Sequence, residues 1–176
     1  MPLLKRAAPF DDPDWLFELK MDGFRALAVI EHGRAQLRSR NGHPFASFSA
    51  LAESISDSLP NVRAVIDGEI CSLDRRGRPQ FKNLLFRRGN PPCFFAFDLL
   101  TCDGKDLRTE RLLDRKQELR RLLARAPADS RLKYTHYRSR NNVLSEHRRM
   151  FVFDFNIGVC PFEKGKLLTD FTTYHS

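Results

Sequence analysis

The chain has 176 residues, 41% hydrophobic and 30% charged, which suits one soluble folded domain and excludes an intrinsically disordered chain. Its formal net charge of +8 and pI of about 9.7 favour a polyanionic partner, nucleic acid before others. No apolar run approaches the ~18 residues of a membrane span and no secretory leader is visible, so no membrane association and a cytoplasmic location are expected.

In chain order, "WLFELK" (15–20) and "FRALAVIEH" (24–32) read as two strands joined by an Asp22-Gly23 hairpin turn. "HGR" is a second turn and "AQLRS" (35–39) a third strand. Phe48, Leu51, Ile55 and Leu59 recur at helical spacing in "SFSALAESISDSL" (47–59), with Ser47 as the expected N-cap. "RAVIDGEICSL" (63–73) is a strand, "DRRGRP" a turn, and "FKNLLF" (81–86) a short helix. "PCFFAFDLL" (92–100) is a strongly apolar strand and "CDGKD" a turn. "ERLLDRKQELRRLLARA" (110–126) is the clearest helix, its many charges expected on a solvated, ion-paired face. "NNVLSEHRRM" reads as another short helix. From Phe151 to Val159 apolar and polar residues alternate as in a strand. The class is therefore α+β with largely antiparallel sheet.

The four cysteines include no C-x-x-C pair and the five histidines are scattered, so neither a zinc site nor a disulfide frame is expected. Among the basic residues, Arg75, Arg76 and Arg78 lie in a stretch with Asp74 as their one acidic neighbour, and are the candidates for phosphate contacts.

The chemistry concentrates in "ELKMDGFR" (18–25). A lysine amine is a poor nucleophile while protonated; burial or neighbouring cations expose its lone pair. Lys20 sits at a strand end, a rigid mount. Gly23 is expected to leave room for a ligand, and Arg25 suits a phosphate or ribose edge and opposes protonation of Lys20. Asp22 is expected to brace the turn. A lysine, a carboxylate and an arginine around one turn fit a nucleoside triphosphate.

Further motifs follow in order: "SRNG" (39–42), "DGEI" (67–70) and "FAFDLL" (95–100). With these the chain resembles the covalent nucleotidyltransferases, most specifically the adenylation domain of ATP-dependent DNA ligases of the bacterial end-joining type. The resemblance implies an antiparallel-sheet α+β fold. It implies that Lys20 takes AMP from ATP as a phosphoramidate, with Mg²⁺ or Mn²⁺ as the metal. It further implies that Glu18 lines the adenine pocket, Arg25 contacts the ribose, Arg40 engages AMP or a 5′-phosphate, Glu69 binds the ribose or the metal, and Phe97 stacks on adenine. The DNA partner would be a nicked or broken duplex, in repair or recombination.

The resemblance covers Trp15 to about Tyr134, within a ligase portion expected over residues 1–150. Residues 151–176 lack the E-G-x-x-x-K strand of that family and its separate K-x-K strand; "EKGK" (163–166) compresses both into four residues and is a coincidence of spacing. The fold is thus expected to be incomplete on its C-terminal side, a fragment unable to seal nicks alone. The alternatives are an RNA ligase or capping-type nucleotidyltransferase, and a non-catalytic nucleotide- or DNA-binding remnant.

Overall fold

The structure is a computed structural model that describes residues 15–138 and 157–161. Its centre is a six-stranded sheet. β2 (Phe24–Glu31) lies between β3 (Arg34–Ser39) and β4 (Ala64–Cys71), and β4 pairs in turn with β5 (Cys93–Cys102), all antiparallel. The short β6 (Lys105–Asp106) extends one edge of β5, and β7 (Leu132–Tyr134) joins β5 in parallel. Two connections are tight hairpins. His32 and Gly33 have φ of 52° and 73°, and Asp103 and Gly104 have 46° and 88°, the pairs of positive values that a two-residue turn needs to match strand twist.

Period-2 alternation decides which face is dry. Ala26, Ala28 and Ile30 of β2, Ile66 and Ile70 of β4, and Phe94, Ala96 and Leu99 of β5 are buried on one face. Two helices cover that face. α1 (Ser49–Ser58) contributes Leu51, Ala52 and Ile55, and α3 (Leu112–Leu123) contributes Leu119, Leu122 and Leu123. Each large side chain so buried stabilises the fold by about 1.5–3 kcal/mol. Phe24, Phe45, Phe48 and Phe81 close one end of this core, with neighbouring ring centroids 5.2–6.1 Å apart.

The expected hairpin at Asp22-Gly23 does not form. β1 (Trp15–Leu19) belongs to a second, three-stranded sheet in the order β8-β1-β9, with β8 (Tyr137–Arg138) and β9 (Ile157–Pro161) both antiparallel to it. The 20–23 turn therefore carries the chain from one sheet to the other. Gly23 is needed there because a Cβ would be driven into the Ile70 carbonyl oxygen and to 2.9 Å from Cys71 Sγ; the space beside it is filled by β4, not kept for a ligand.

Of three smaller expectations, one changes and two hold where the residues are described. Ser47 does not cap α1: a 3-10 turn over Ala46–Phe48 precedes the helix, Phe48 is the N-cap without a side-chain bond, and the Ser47 hydroxyl instead accepts from Arg87 at 2.7 Å. The 81–86 helix is α2 (Phe81–Leu85). The alternating tail has a described strand at Ile157–Pro161, paired with β1; Phe151 to Asn156, the 141–150 helix and "EKGK" lie outside the described residues. No helix among the described residues is long and apolar enough to cross a membrane.

Candidate active site

Antiparallel pairing gathers the motifs at one end of the central sheet. β2 and β5 begin there and β3 and β4 end there, so the 20–23 turn, the turn after Ser39 and the Asp74–Arg78 turn share that end. Arg25 stands opposite Glu69 across β2–β4, and Glu69 opposite Phe95 across β4–β5. On these strands Arg25, Asp67 and Glu69 point away from the face covered by α1 and α3. The β4–β5 register slips between Asp67 and Gly68, leaving Phe97 as the extra residue of a bulge. A bulge re-aims a side chain. The Phe97 ring is half-buried and the Arg25 guanidinium lies 5.0 Å from its centroid.

Arg25 also holds Asp67 with two parallel bonds, Nε to Oδ1 at 2.9 Å and Nη2 to Oδ2 at 2.6 Å. It is thus not the bare cation expected beside Lys20. Burial pushes the Asp67 carboxyl above its ordinary range, against the pull of Arg25. Glu69 is different: no side chain among the described residues hydrogen bonds it. Burial raises it to about 7, while Arg25 and then Lys20 draw it down and Asp67 and Asp22 push it up. Those influences place Lys20, Asp22, Arg25 and Asp67 within electrostatic range of Glu69.

Lys20 follows β1 directly and its side chain is exposed, as is Asp22. Burial of the amine, one of the two activation routes expected, is therefore absent. Arg40 is exposed in the turn in which Gly42 N–H donates to the Ser39 carbonyl at 2.8 Å, at the same end of the sheet. In the Asp74–Arg78 turn the Asp74 carboxylate accepts the Arg76 and Arg78 backbone N–H groups at 2.8 and 2.9 Å, which hold it below its ordinary range. Arg75 and Arg76 are left exposed on the turn and Arg78 is half-buried.

Two residues escaped the sequence reading. The charges of α3 are expected largely on a solvated, ion-paired face, yet Arg115 and Lys116 are buried, at 3% and 1% exposure. Arg115 clasps Asp98 through Nε at 2.9 Å and Nη2 at 3.0 Å. Lys116 donates to the Glu18 carboxylate and to the Phe97 carbonyl, the latter at 2.8 Å. Burial raises Glu18 as well, with Lys116 opposing it. The legible signal was position: both lie one turn before Leu119, on the apolar stripe of α3.

A cavity of about 460 Å³ between β3 and α1 and another of about 600 Å³ beside the β5–β6 hairpin and α3 include none of Lys20, Glu69 and Phe97. Chemically, the sheet end offers an exposed amine, an unpaired carboxylate, an aromatic ring beside a guanidinium and several exposed arginines. That set suits an anion joined to a planar base.

Known proteins with related sequences and structures point the same way. A family model described as ATP dependent DNA ligase domain matches residues 4–152. The multifunctional non-homologous end joining protein LigD of Pseudomonas aeruginosa is 38% identical over 114 residues, 62% of this chain and 14% of that protein. The bifunctional non-homologous end joining protein LigD of Bacillus subtilis is 31% identical over 143 residues, 71% of this chain and 23% of that protein. The ligase domain of M. tuberculosis LigD superposes with a TM-score of 0.70 at 28% identity, covering 86% of this chain and 48% of that one. A mycobacterial DNA ligase D complexed with ATP and MES gives 0.68 at 32% identity, covering 82% and 46%. The chain thus spans less than a quarter of these two curated relatives and about half of the two solved chains.

Proposed function

The chain belongs to the ATP-dependent DNA ligase family, and from that premise we propose that Lys20 is the nucleophile of a lysine–AMP transfer serving the repair of nicked or broken DNA. The observation that carries this reading is the convergence of Lys20, Arg25 and Glu69 at one sheet end, with Phe97 in contact with Arg25. In the transfer the Lys20 Nζ attacks the α-phosphorus of ATP, the bond to the bridging oxygen breaks, pyrophosphate leaves, and the amine gives up its proton. AMP stays on a phosphorus–nitrogen bond.

Each neighbour has a part. Phe97 stacks on the base with the ring face that Arg25 does not occupy, a contact worth about 1–3 kcal/mol. Glu18 reads the base edge. Arg25, steadied by Asp67, meets the ribose, and Arg40 meets AMP or a 5′-phosphate. Glu69 is the group for a divalent cation. Among the described residues no cluster of three or more His, Cys, Asp or Glu could hold one, and Asp67 is taken by Arg25. One free carboxylate fits Mg²⁺ or Mn²⁺ that keeps waters and phosphate oxygens as its other ligands. When bound, the cation would offset triphosphate charge.

Arg75, Arg76 and Arg78 would grip duplex phosphates at the same end of the sheet. The relatives named above are DNA end-joining proteins, which favours DNA over an RNA-ligase or capping role. The absence of E-G-x-x-x-K and of a separate K-x-K strand from this sequence favours weak chemistry. Loss of one preorganised charge costs about 10²–10³ in rate. The 176-residue polypeptide by itself should therefore self-adenylate slowly at best and leave nicks unsealed. Incubation with α-labelled ATP and Mg²⁺ and a denaturing gel test this. Label on the protein should be acid-labile and vanish in Lys20→Ala; label that persists in that variant refutes the assignment, and efficient sealing of nicked DNA refutes the limit.

A further inference from the structure

Lys116 has no role in the chemistry above, yet its side chain is 2% exposed and bridges two parts of the proposed base site. A buried ammonium is costly unless its donors are used. One proton goes to the Glu18 carboxylate on β1 and another to the Phe97 carbonyl in the β5 bulge, and the Tyr137 ring faces the ammonium at 5.8 Å. Behind it, the Tyr134 hydroxyl donates to the Lys116 carbonyl at 3.4 Å and pins that turn of the helix. One side chain thus fixes the group assigned to the base edge and the strand that carries the ring assigned to the base face.

We propose that Lys116 is a positioning residue for nucleobase selectivity: by donating to both the Glu18 carboxylate and the Phe97 carbonyl it aims Glu18 as a hydrogen-bond acceptor that admits adenine and turns away guanine. This rests on the nucleotide-binding reading above. The reasoning is one of donors and acceptors. An ionised carboxylate only accepts, whereas a protonated one also donates. Adenine offers an amino donor at position 6, where guanine offers a carbonyl oxygen. A carboxylate locked in its ionised form therefore meets guanine acceptor to acceptor.

The charges around Glu18 show why the lock is needed. Burial is the largest influence and favours the protonated form, and Asp98 on β5 acts in the same direction. Lys116 on α3 and, more weakly, Arg25 on β2 favour the ionised form. Among the described residues, Tyr134 on β7 and Tyr137 on β8, the register partner of Glu18, are the other titratable groups beside it. Without Lys116, burial and Asp98 would be opposed by Arg25 alone. Glu18 would then shift further towards its protonated form, which could donate to the guanine oxygen.

The test is equilibrium binding of ATP and of GTP to the 176-residue chain by calorimetry, with Mg²⁺, from pH 6 to 9. The wild type should prefer ATP by about tenfold or more, the discrimination expected of a well-placed base contact. Lys116→Met should lose most of that preference at the acidic end of the range and recover part of it as pH rises. Lys116→Arg, which keeps the cation, should retain it. Unchanged ATP:GTP ratios in Lys116→Met at every pH overturn the proposal while leaving nucleotide binding intact. If the wild type binds neither nucleotide, the underlying reading fails and this one with it. Should Lys116→Met fail to fold, Glu18→Gln decides: its amide both donates and accepts, so the preference should collapse at every pH, and a wild-type ratio refutes the role given to Glu18.

Discussion

Replacing Glu69 by glutamine should stabilise the nucleotide-free chain at neutral pH and flatten its stability profile. Burial holds the Glu69 carboxyl at about 7 in the folded chain, whereas the unfolded chain ionises it near 4.3. Between those values the folded state binds more protons, so stability falls as pH rises through the window and levels off above it. Each pKa unit is worth about 1.4 kcal/mol, which sets an upper bound of about 3–4 kcal/mol; the carboxyl is only part-buried, and solvent screening brings this to about 2–3 kcal/mol. For a chain of this size that corresponds to a melting temperature higher by about 4–12 °C in Glu69→Gln at pH 8. Near pH 4.5 both proteins carry a neutral group there and should melt alike. The assay is thermal unfolding followed by circular dichroism from pH 4.5 to 8 in EDTA. Glu18 and Asp67, also raised by burial, slope the profile the same way but are present in both proteins, so the difference isolates Glu69. Parallel curves between pH 5 and 8 would refute the reasoning and mean that water reaches the carboxylate freely.

Gly23→Ala drives a Cβ against the Ile70 carbonyl, a backbone atom that cannot swing aside, and should cost about 1–3 kcal/mol or more in urea unfolding; unchanged stability would mean that the turn lifts off β4 easily. Asp98→Asn leaves Arg115 buried without its counter-charge and should cost about 3–5 kcal/mol, whereas Asp98→Leu with Arg115→Met should cost far less. A small loss in the single variant would show that the pair is hydrated. Replacing Arg75, Arg76 and Arg78 together by alanine should weaken duplex binding alike on every DNA sequence and lower the slope of log K against log salt by up to about 2.7. An unchanged slope would reduce the cluster to a solvated turn.

The central strands and both long helices were legible because their signals are local. β2, β4 and β5 are apolar runs bounded by turn residues, and α1 and α3 repeat at three and four residues, so each can be recognised without reference to the rest of the chain. Asp22-Gly23 and Asp103-Gly104 show where local reading stops. The dipeptide is the same, yet the second closes a hairpin with both residues at positive φ while the first crosses between sheets. What separates them is the Ile70 carbonyl packed against Gly23, a contact made 47 positions along the chain. β7 and β8, three and two residues long, are too short to show any period; their pairing with β5 and β1 is what makes them strands.

The site divides along the same line. Lys20, Arg25, Glu69 and Phe97 could be read because each stands in a short fixed motif. The Arg25–Asp67 clasp could not, since it depends on β2 pairing with β4, and it ties the guanidinium to a carboxylate that the sequence alone could not name as its partner. Arg115 and Lys116 are the sharper case. Charged helix residues usually face water, and for that reason the sequence points to a solvated, ion-paired face over much of α3. Yet 115, 116, 119, 122 and 123 form one stripe at helical spacing, and two of its five members are cations. A stripe that packs on a core can hold cations only where buried carboxylates await them. Glu18 and Asp98 come from β1 and β5, strands of two different sheets. The helix therefore ties the two sheets together through charge, and does so at the base of the turn that presents Lys20.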